Sequence, residues 1–355
     1  MLCVLRVMYV RDKRFKLGSS RALRRLIAAA LALVVADRFE PAVLRTVEEA
    51  RYEDRSKDFR FENSDLFGLG PLASYLREHP SGHVRRVLFT GDSVAYGYGL
   101  SASDAVPGRY QRLDSSAKVF NVAINGFRSG SSFLIAKATI DSVDLAYVLR
   151  GSPDRAPYVQ PLLPKLIPVD DGDLARFQLT GPDGAEQRLS GLANHWRLYR
   201  DAYRLQAAIF GASTRQYVYL NKGVLARALI ARVRAEQGDG AASLPAVRID
   251  VPISDTMPDE SRLRRLREAS GELWRFGELS LSRRKHVVLL QVAGHSEPLT
   301  GEVAADFNRV FAPYARVLVV QVPPQLTFDG MHLTSAGAAQ VARALWDARP
   351  EDLRR

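Results

Sequence analysis

The sequence predicts an α/β protein built on a doubly wound, five-stranded, mainly parallel sheet, with a large insertion between the third and fourth strands. Two observations predict this fold class. Five short apolar runs are rich in β-branched residues, and most end at or next to glycine or a polar turn, which is typical of strands buried on both faces. Helical patterns lie between these runs, and strand–helix alternation gives right-handed crossovers with helices on both faces of the sheet.

The predicted strands form two groups, three before the insertion and two after it. They cover residues 84–90, 118–124, 143–150, 286–294 and 315–322. Apolar residues at helical spacings of three and four precede the fourth strand and follow the fifth. They are Leu263, Leu266, Ala269, Leu273 and Phe276 in the first helix, and Val341, Ala342 and Leu345 in the second. Thr334 or Ser335 is available as the N-cap of this last helix.

The strands divide most of the chain into three parts. Residues 37–82 are polar and charged and indicate a linker or a helical pre-segment. Residues 83–154 and 258–350 are predicted to form the α/β domain, a flavodoxin-like three-layer α/β/α arrangement. Residues 155–257 are too long for a simple crossover and contain several Asp-Gly turns. We expect them to form a subdomain or lid over the carboxyl ends of the strands, where such sheets bind ligands.

The net charge is concentrated at the N-terminus. The chain is 46% hydrophobic and 25% charged, as in an ordinary globular protein, with a formal net charge of +11. Residues 1–25 hold eight basic residues and one acid, and so carry +7 of that charge. Because the remaining charge is unremarkable for a domain of this size, the sequence argues against a nucleic-acid partner.

The basic segment is followed directly by the apolar run LIAAALALVVA, residues 26–36. As a helix, eleven residues span only about half of a hydrocarbon core about 30 Å thick. A basic n-region, a short apolar region and a small-residue ending predict export through a signal peptide, or membrane tethering if residues 1–36 are not cleaved. We therefore expect a cell-envelope or periplasmic location; the alternative is a buried amphipathic helix. The only cysteine, Cys3, precedes the run, so intrachain disulfides are excluded.

Two short motifs, far apart in the sequence, carry the chemistry. GDSVAYGYG begins at Gly91, where the first predicted strand ends, and DGMHLTSAG begins at Asp329, just before the last helix. Ser93 is a nucleophile only if a base removes its proton, and His332 is the natural base. Asp329 can accept the N–H of the other ring nitrogen. Each motif alone is also an ordinary turn, and Asp329 could merely cap a helix; their joint placement at strand ends favours serine-based acyl transfer.

The block GDSVAYGYG, the NVAING turn after the second strand and the late DGMH resemble the SGNH (GDSL-type) hydrolase family. The resemblance covers roughly residues 84–152 and 260–348 and leaves out residues 37–82 and the insertion. It implies a catalytic triad of Ser93, Asp329 and His332. It also implies an oxyanion hole made of the backbone N–H groups of Ser93 and Gly126, together with a side-chain asparagine in a third block.

The third block departs from that family. Where the family has Gly-x-Asn-Asp, this chain has Gly151-Ser152-Pro153-Asp154. Proline has neither an amide side chain nor a backbone N–H, and loss of one oxyanion donor costs about 10²–10³ in turnover. Another donor replaces the asparagine, or the hole has two donors, or the enzyme is weak or inactive. Asn194 and His195 are conceivable replacements.

The remaining candidate residues have weaker signals. His195 beside Trp196 is expected to be packed or exposed, whereas His295 follows the fourth strand at the functional rim. Arg128 could meet an anionic substrate or simply start a helix, and the basic cluster at 262–267 indicates a solvated face. No Cys/His cluster, His-Glu-x-x-His motif or phosphate-binding loop appears, so the sequence predicts no metal or other cofactor.

The sequence thus predicts a serine esterase that cleaves an O-acylated glycan or a lipid-like ester through an acyl-serine intermediate. One alternative is an O-acyltransferase that uses the same residues to pass the acyl group to an acceptor hydroxyl. The other is a non-catalytic binding or assembly protein on a degenerate SGNH scaffold, for which Pro153 is the best argument.

Overall fold

A seven-stranded sheet forms the centre of the protein. The computed structural model describes residues 20–54, 58–61, 68–80, 84–124, 127–150, 159–161, 163–179, 204, 246–293 and 301–354. The strands are β1 (Phe59–Arg60), β2 (Arg85–Gly91), β3 (Ala117–Asn121), β4 (Leu145–Arg150), β5 (Arg248–Asp250), β6 (His286–Ala293) and β7 (Ala315–Gln321). Their order is β1-β3-β2-β4-β6-β7-β5, and every pair is parallel except β5 with β7.

The predicted strand count of five was wrong. The five apolar runs form the five central strands, β3-β2-β4-β6-β7, in the doubly wound order of a flavodoxin-like sheet. The sheet gains a two-residue strand, β1, from the segment expected to be a linker, and a three-residue antiparallel edge strand, β5, from the predicted insertion. Strands this short carry no alternation that a sequence pattern could reveal.

Helices cover both faces of the sheet. They are α1 (Ser20–Tyr52), α2 (Leu69–Glu78), α3 (Ser93–Tyr96), α4 (Val106–Leu113), α5 (Ser129–Thr139), α6 (Asp171–Arg176), α7 (Glu260–Ser270), α8 (Glu272–Arg283), α9 (Gly301–Phe311) and α10 (Ser335–Asp347). Thr334 is the N-cap of α10, as one of the two predicted candidates, because its hydroxyl accepts the Gly337 N–H at 3.1 Å.

Alternate residues of β2 face two separate cores, as the period of a strand requires. Val87 and Phe89 pack with α4 and α10 on one face. Leu88 packs with α5, α8 and α9 on the other. The two cores hold the central strands between two helical layers, so the carboxyl ends of β2 and β7 open onto the same edge of the sheet.

Helix α1 continues through the predicted boundary after residue 36. Residues 27–36 are all exposed, which argues against a buried helix there. Beyond them, Glu40, Leu44, Glu48 and Tyr52 are buried, one residue per turn along one face. Within the described ranges, every helix is too short or too polar to span a bilayer.

Candidate active site

Ser93 stands where β2 turns into α3. The strand ends at Gly91, whose φ of 142° favours glycine, and a Cβ there would lie 2.2 Å from the Leu149 carbonyl oxygen of β4. Asp92 then caps α3, since its carboxylate accepts the Val94 N–H at 2.9 Å. Ser93 is therefore the first helical residue after a buried strand and lies at the carboxyl edge of the sheet.

The turn after Ser93 closes back on it. The backbone oxygen of Ser93 accepts the N–H groups of Gly97 at 3.1 Å and Tyr98 at 2.9 Å. Gly97 is left-handed, with φ of 77°, and a Cβ there would lie 2.3 Å from the Ala105 Cβ. The glycines of the first motif thus allow a compact turn that places Tyr98 above the site.

Two side chains hold this turn from outside. Arg60 of β1 donates from Nη1 to the carbonyl oxygens of Tyr96 at 3.2 Å, Gly97 at 3.4 Å and Leu100 at 3.0 Å. Asn121 of β3 donates from Nδ2 to the carbonyl oxygen of Tyr96 at 3.4 Å, and also to that of Ala95 at 3.2 Å. The carbonyl groups at the end of α3 lack partners within the helix, so these donors fix the turn that carries Ser93.

Sequence reasoning missed both residues. Arg60 lies in the segment predicted to be a linker, and Asn121 lies inside a predicted strand. The one available signal was the aromatic-flanked run of residues 59–61, which is short but apolar around a single arginine. Their role follows from tertiary contacts alone.

The second motif forms a tight loop before α10. An antiparallel bridge joins Thr327 to Leu333, and Phe328 donates its N–H to the His332 carbonyl oxygen at 3.0 Å. One carboxylate oxygen of Asp329, Oδ1, accepts the backbone N–H groups of Met331 at 3.0 Å and His332 at 2.7 Å. Asp329 therefore shapes the loop itself, while Thr334 caps the helix.

This loop brings His332 between the two other predicted site residues. His332 Nε2 lies 2.9 Å from Ser93 Oγ, across 239 positions of sequence. His332 Nδ1 lies 2.6 Å from Asp329 Oδ2. An ionised carboxylate can only accept, so Nδ1 carries the proton and Nε2 is left to accept the Ser93 hydroxyl proton.

The charge of Asp329 is favoured by its surroundings. Partial burial acts to raise the pKa of the Asp329 carboxyl, but the hydrogen bonds from the His332 backbone and ring and from the Met331 N–H outweigh it. The net result is a pKa below the ordinary value. The carboxylate that orients His332 is thus anionic over the whole neutral range.

Two aromatic rings flank the imidazole. Tyr98 lies 4.8 Å from the His332 ring centroid, and Phe328 lies 5.5 Å from it and nearly parallel. The His332 side chain is 14% exposed. Val94, Val106, Leu333 and Ala338 pack in the buried core next to Ser93 and His332, and Leu100 is half-buried beside them.

Several sequence candidates lie outside the described residues. They are the predicted oxyanion donor Gly126, the substituted position Pro153, and Asn194, His195 and His295. The last described residue before Gly126 in that turn is Ile124, whose N–H donates to the Gly91 carbonyl oxygen at 3.2 Å. The chain thus runs beside the Ser93 turn up to residue 124.

The basic candidates are placed differently. Arg128 is exposed and borders a cavity of about 20 Å³ that Asp92 and Gln291 also line. Arg262 forms an ion pair with the buried Asp306, so the predicted solvated face of α7 is partly bound to α9. Nowhere in the described ranges do three or more His, Cys, Asp or Glu side chains group as metal ligands would.

No protein-family model and no curated protein matches this chain. Solved structures with some similarity include a two-domain esterase active on acetylated mannans, co-crystallised with mannopentaose. It has a TM-score of 0.32 and 11% identity, over 82% of this chain and 57% of that protein. They also include AlinE4, an SGNH-hydrolase family esterase, and a point mutant of it, each with a TM-score of 0.17 and 16% identity over 55% of this chain and 97% of theirs. These descriptions belong to the neighbours, and the chain spans little more than half of the two-domain esterase.

Proposed function

We propose that this protein is a serine hydrolase that cleaves an ester through an acyl-serine intermediate. The observation that carries the proposal is the continuous hydrogen-bond chain from Ser93 Oγ through His332 to Asp329, with links of 2.9 and 2.6 Å. A nucleophile, a base within hydrogen-bond reach and a group that orients the base are the parts that this chemistry needs.

In the acylation step, Ser93 Oγ attacks the carbonyl carbon of the ester while its proton passes to His332 Nε2. The tetrahedral intermediate then expels the alcohol, which takes that proton from His332. Asp329 stabilises the imidazolium and keeps the ring in the tautomer whose Nε2 faces Ser93. In the second half, a water molecule attacks the acyl-serine with the same proton route and releases the acid.

The developing oxyanion needs N–H donors. We assign the Ser93 backbone N–H to this role, because Ser93 opens α3 and a first-turn N–H has no acceptor four residues earlier within the helix. The Gly126 N–H is the second donor that the resemblance to the SGNH family implies. The Asn121 amide, by contrast, already donates to the Ser93 turn.

Tyr98, which is 36% exposed, and the half-buried Leu100 and Phe328 give the surroundings of Ser93 and His332 an apolar character that suits the acyl part of an ester better than a charged group. We accordingly propose an O-acylated glycan or a lipid-like ester as the substrate. We assign the choice of the glycan or lipid part to the predicted insertion, residues 155–257.

A fluorophosphonate tests the proposal. The full chain is treated with the reagent and its intact mass is measured, alongside Ser93→Ala and the nearby control Ser101→Ala. Ser101 is a matched serine because its hydroxyl contacts Ser103 and Asp104 instead of a histidine. We expect one adduct on the wild type and on Ser101→Ala and none on Ser93→Ala.

Folded wild-type protein without an adduct would exclude the enzyme and favour a binding protein. An adduct that persists in Ser93→Ala would place the nucleophile elsewhere. Adding glycan acceptors to an ester assay then separates hydrolysis from acyl transfer, because a transferase gives acylated acceptor in place of free acid.

A further inference from the structure

Helix α1 has two halves with opposite surroundings. Residues 27–36, which we call the apolar segment, are ten consecutive apolar residues, and all ten are exposed. Ile27, Leu31 and Val34 are 51%, 60% and 60% exposed. An α-helix advances about 100° per residue, so ten residues present apolar side chains on every side of the helix. Such a large exposed apolar surface marks an interaction site.

The second half of the helix is built into the protein. Leu44 and Tyr52 are 5% and 1% exposed, and the Tyr52 ring packs 4.8 Å from that of Tyr75 in α2. Glu48 is also buried and pairs with Arg204 at 2.8 Å, and Arg204 reaches Glu78 at the end of α2 at 2.8 Å. The apolar segment therefore extends from a fixed support.

The charges on either side of the apolar segment indicate what covers it. The preceding residues 1–25 carry a net charge of +7, including Arg24 and Arg25 directly before the apolar run, and Asp37 and Arg38 follow it. A basic cluster beside a fully apolar segment matches anionic headgroups above an acyl layer. A partner helix or a protein pocket would not call for the basic cluster beside the segment.

We propose that the apolar segment binds the protein to an anionic lipid bilayer, with the helix axis near the bilayer plane. Ten helical residues measure about 15 Å, half of a hydrocarbon core of about 30 Å, so charged residues at both ends stay at headgroup level only when the helix lies along the surface. Arg38, which is exposed, extends its guanidinium to the headgroups while the aliphatic part of its side chain lies against the acyl chains. The fixed second half then holds the α/β domain beside the membrane. This inference does not depend on the proposed esterase activity.

The test is co-sedimentation of the full chain with vesicles of phosphatidylcholine and phosphatidylglycerol, compared with phosphatidylcholine alone. The test variant combines Ile27→Ser, Leu31→Ser and Val34→Ser. The matched control combines Val251→Ser, Ile253→Ser and Met257→Ser, which are exposed apolar residues in the connection between β5 and α7. Circular dichroism and urea midpoints show that each variant is folded.

We expect the wild type and the control to bind the anionic vesicles, with weaker binding to phosphatidylcholine alone. The test variant should bind at least about tenfold more weakly, because three exposed apolar side chains no longer enter the acyl layer. Wild-type protein that stays in the supernatant, or a folded test variant that binds like the wild type, would overturn the proposal. So would wild-type oligomers in buffer that the test variant abolishes without any vesicle binding, because a second copy would then cover the segment.

Discussion

His332 and His286 each contact an aspartate, but they lie at opposite edges of the same sheet. At the carboxyl edge, His332 holds Asp329 at 2.6 Å on one ring nitrogen and Ser93 at 2.9 Å on the other. At the amino edge, His286 Nε2 holds Asp352 at 2.8 Å. Its Nδ1 is buried and has no hydrogen-bond partner among the described residues.

The amino-edge pair is one of several contacts that hold the C-terminal segment, residues 348–353, against the sheet; we call these contacts the clamp. Arg85 donates to the Leu353 carbonyl oxygen and Arg316 to that of Ala348, next to the His286–Asp352 contact. A histidine–carboxylate pair is thus by itself a structural link. The carboxyl-edge pair differs because the second ring nitrogen of its histidine contacts a serine hydroxyl, that of Ser93. Ser93 is held there by the tight turn that follows β2.

Removing each histidine should give the largest difference between the two edges. His332→Ala should lower kcat/KM for an ester substrate by about 10⁴-fold or more, because Ser93 loses its base. His286→Ala should leave kcat/KM within a few fold of the wild type. Equal losses in both variants, measured on folded protein, would mean that the two pairs are not functionally different.

The second prediction concerns the arginines that support each edge. Arg60→Met should lower kcat by about 10²-fold, because small displacements of a nucleophile have effects of that size. Arg60→Lys should recover part of this loss, since one donor remains. Arg85→Met, which removes an ion pair with Asp114 at 3.1 Å at the amino edge, should lower the urea midpoint with kcat unchanged. A higher KM with unchanged kcat in Arg60→Met would show that Arg60 does not position Ser93.

The sequence was most informative where chemistry is local. The glycines around Ser93 and the Asp-Gly turn before His332 belong to short turns, and their residue types follow from backbone conformation. Contacts with residues far along the chain fix Arg60 and the edge strands β1 and β5. No local periodicity of apolar residues predicts them. The contact between His286 and Asp352 could not be predicted from a local motif either, because the two residues are 66 positions apart.

For stability, we expect the opposite order: the substitution of His286 should cost more free energy of unfolding than that of His332. His286→Ala should lower the free energy of unfolding by about 1 kcal/mol, because a buried side chain and a hydrogen bond to the C-terminal segment are lost. His332→Ala should lower it less, since its loop is shaped by backbone contacts of Asp329 that the substitution retains. Urea midpoints for both variants measure this, and the opposite order would contradict the clamp.

The smallest expected effect is the pH dependence of Asp329. Its folded pKa is lowered, so its contribution to stability is present above the unfolded value of about 3.9 and is lost as the pH falls through the lower folded value. The wild type should therefore exceed Asp329→Asn by about 0.5 kcal/mol near pH 5, as for an exposed pair, and the difference should vanish near pH 2. Urea titrations at the two pH values test this, and a difference that grows toward low pH has the wrong sign for this carboxylate.

We propose that Ser93, at the carboxyl edge, is the nucleophile and that His332 activates it. Tandem mass spectrometry of digested, fluorophosphonate-treated protein tests it most directly, on the wild type, His332→Ala and His286→Ala. We predict modification of Ser93 in the wild type and in His286→Ala, and its loss in His332→Ala. Modification of a different serine, or labelling of Ser93 that is unchanged in His332→Ala, would contradict the account.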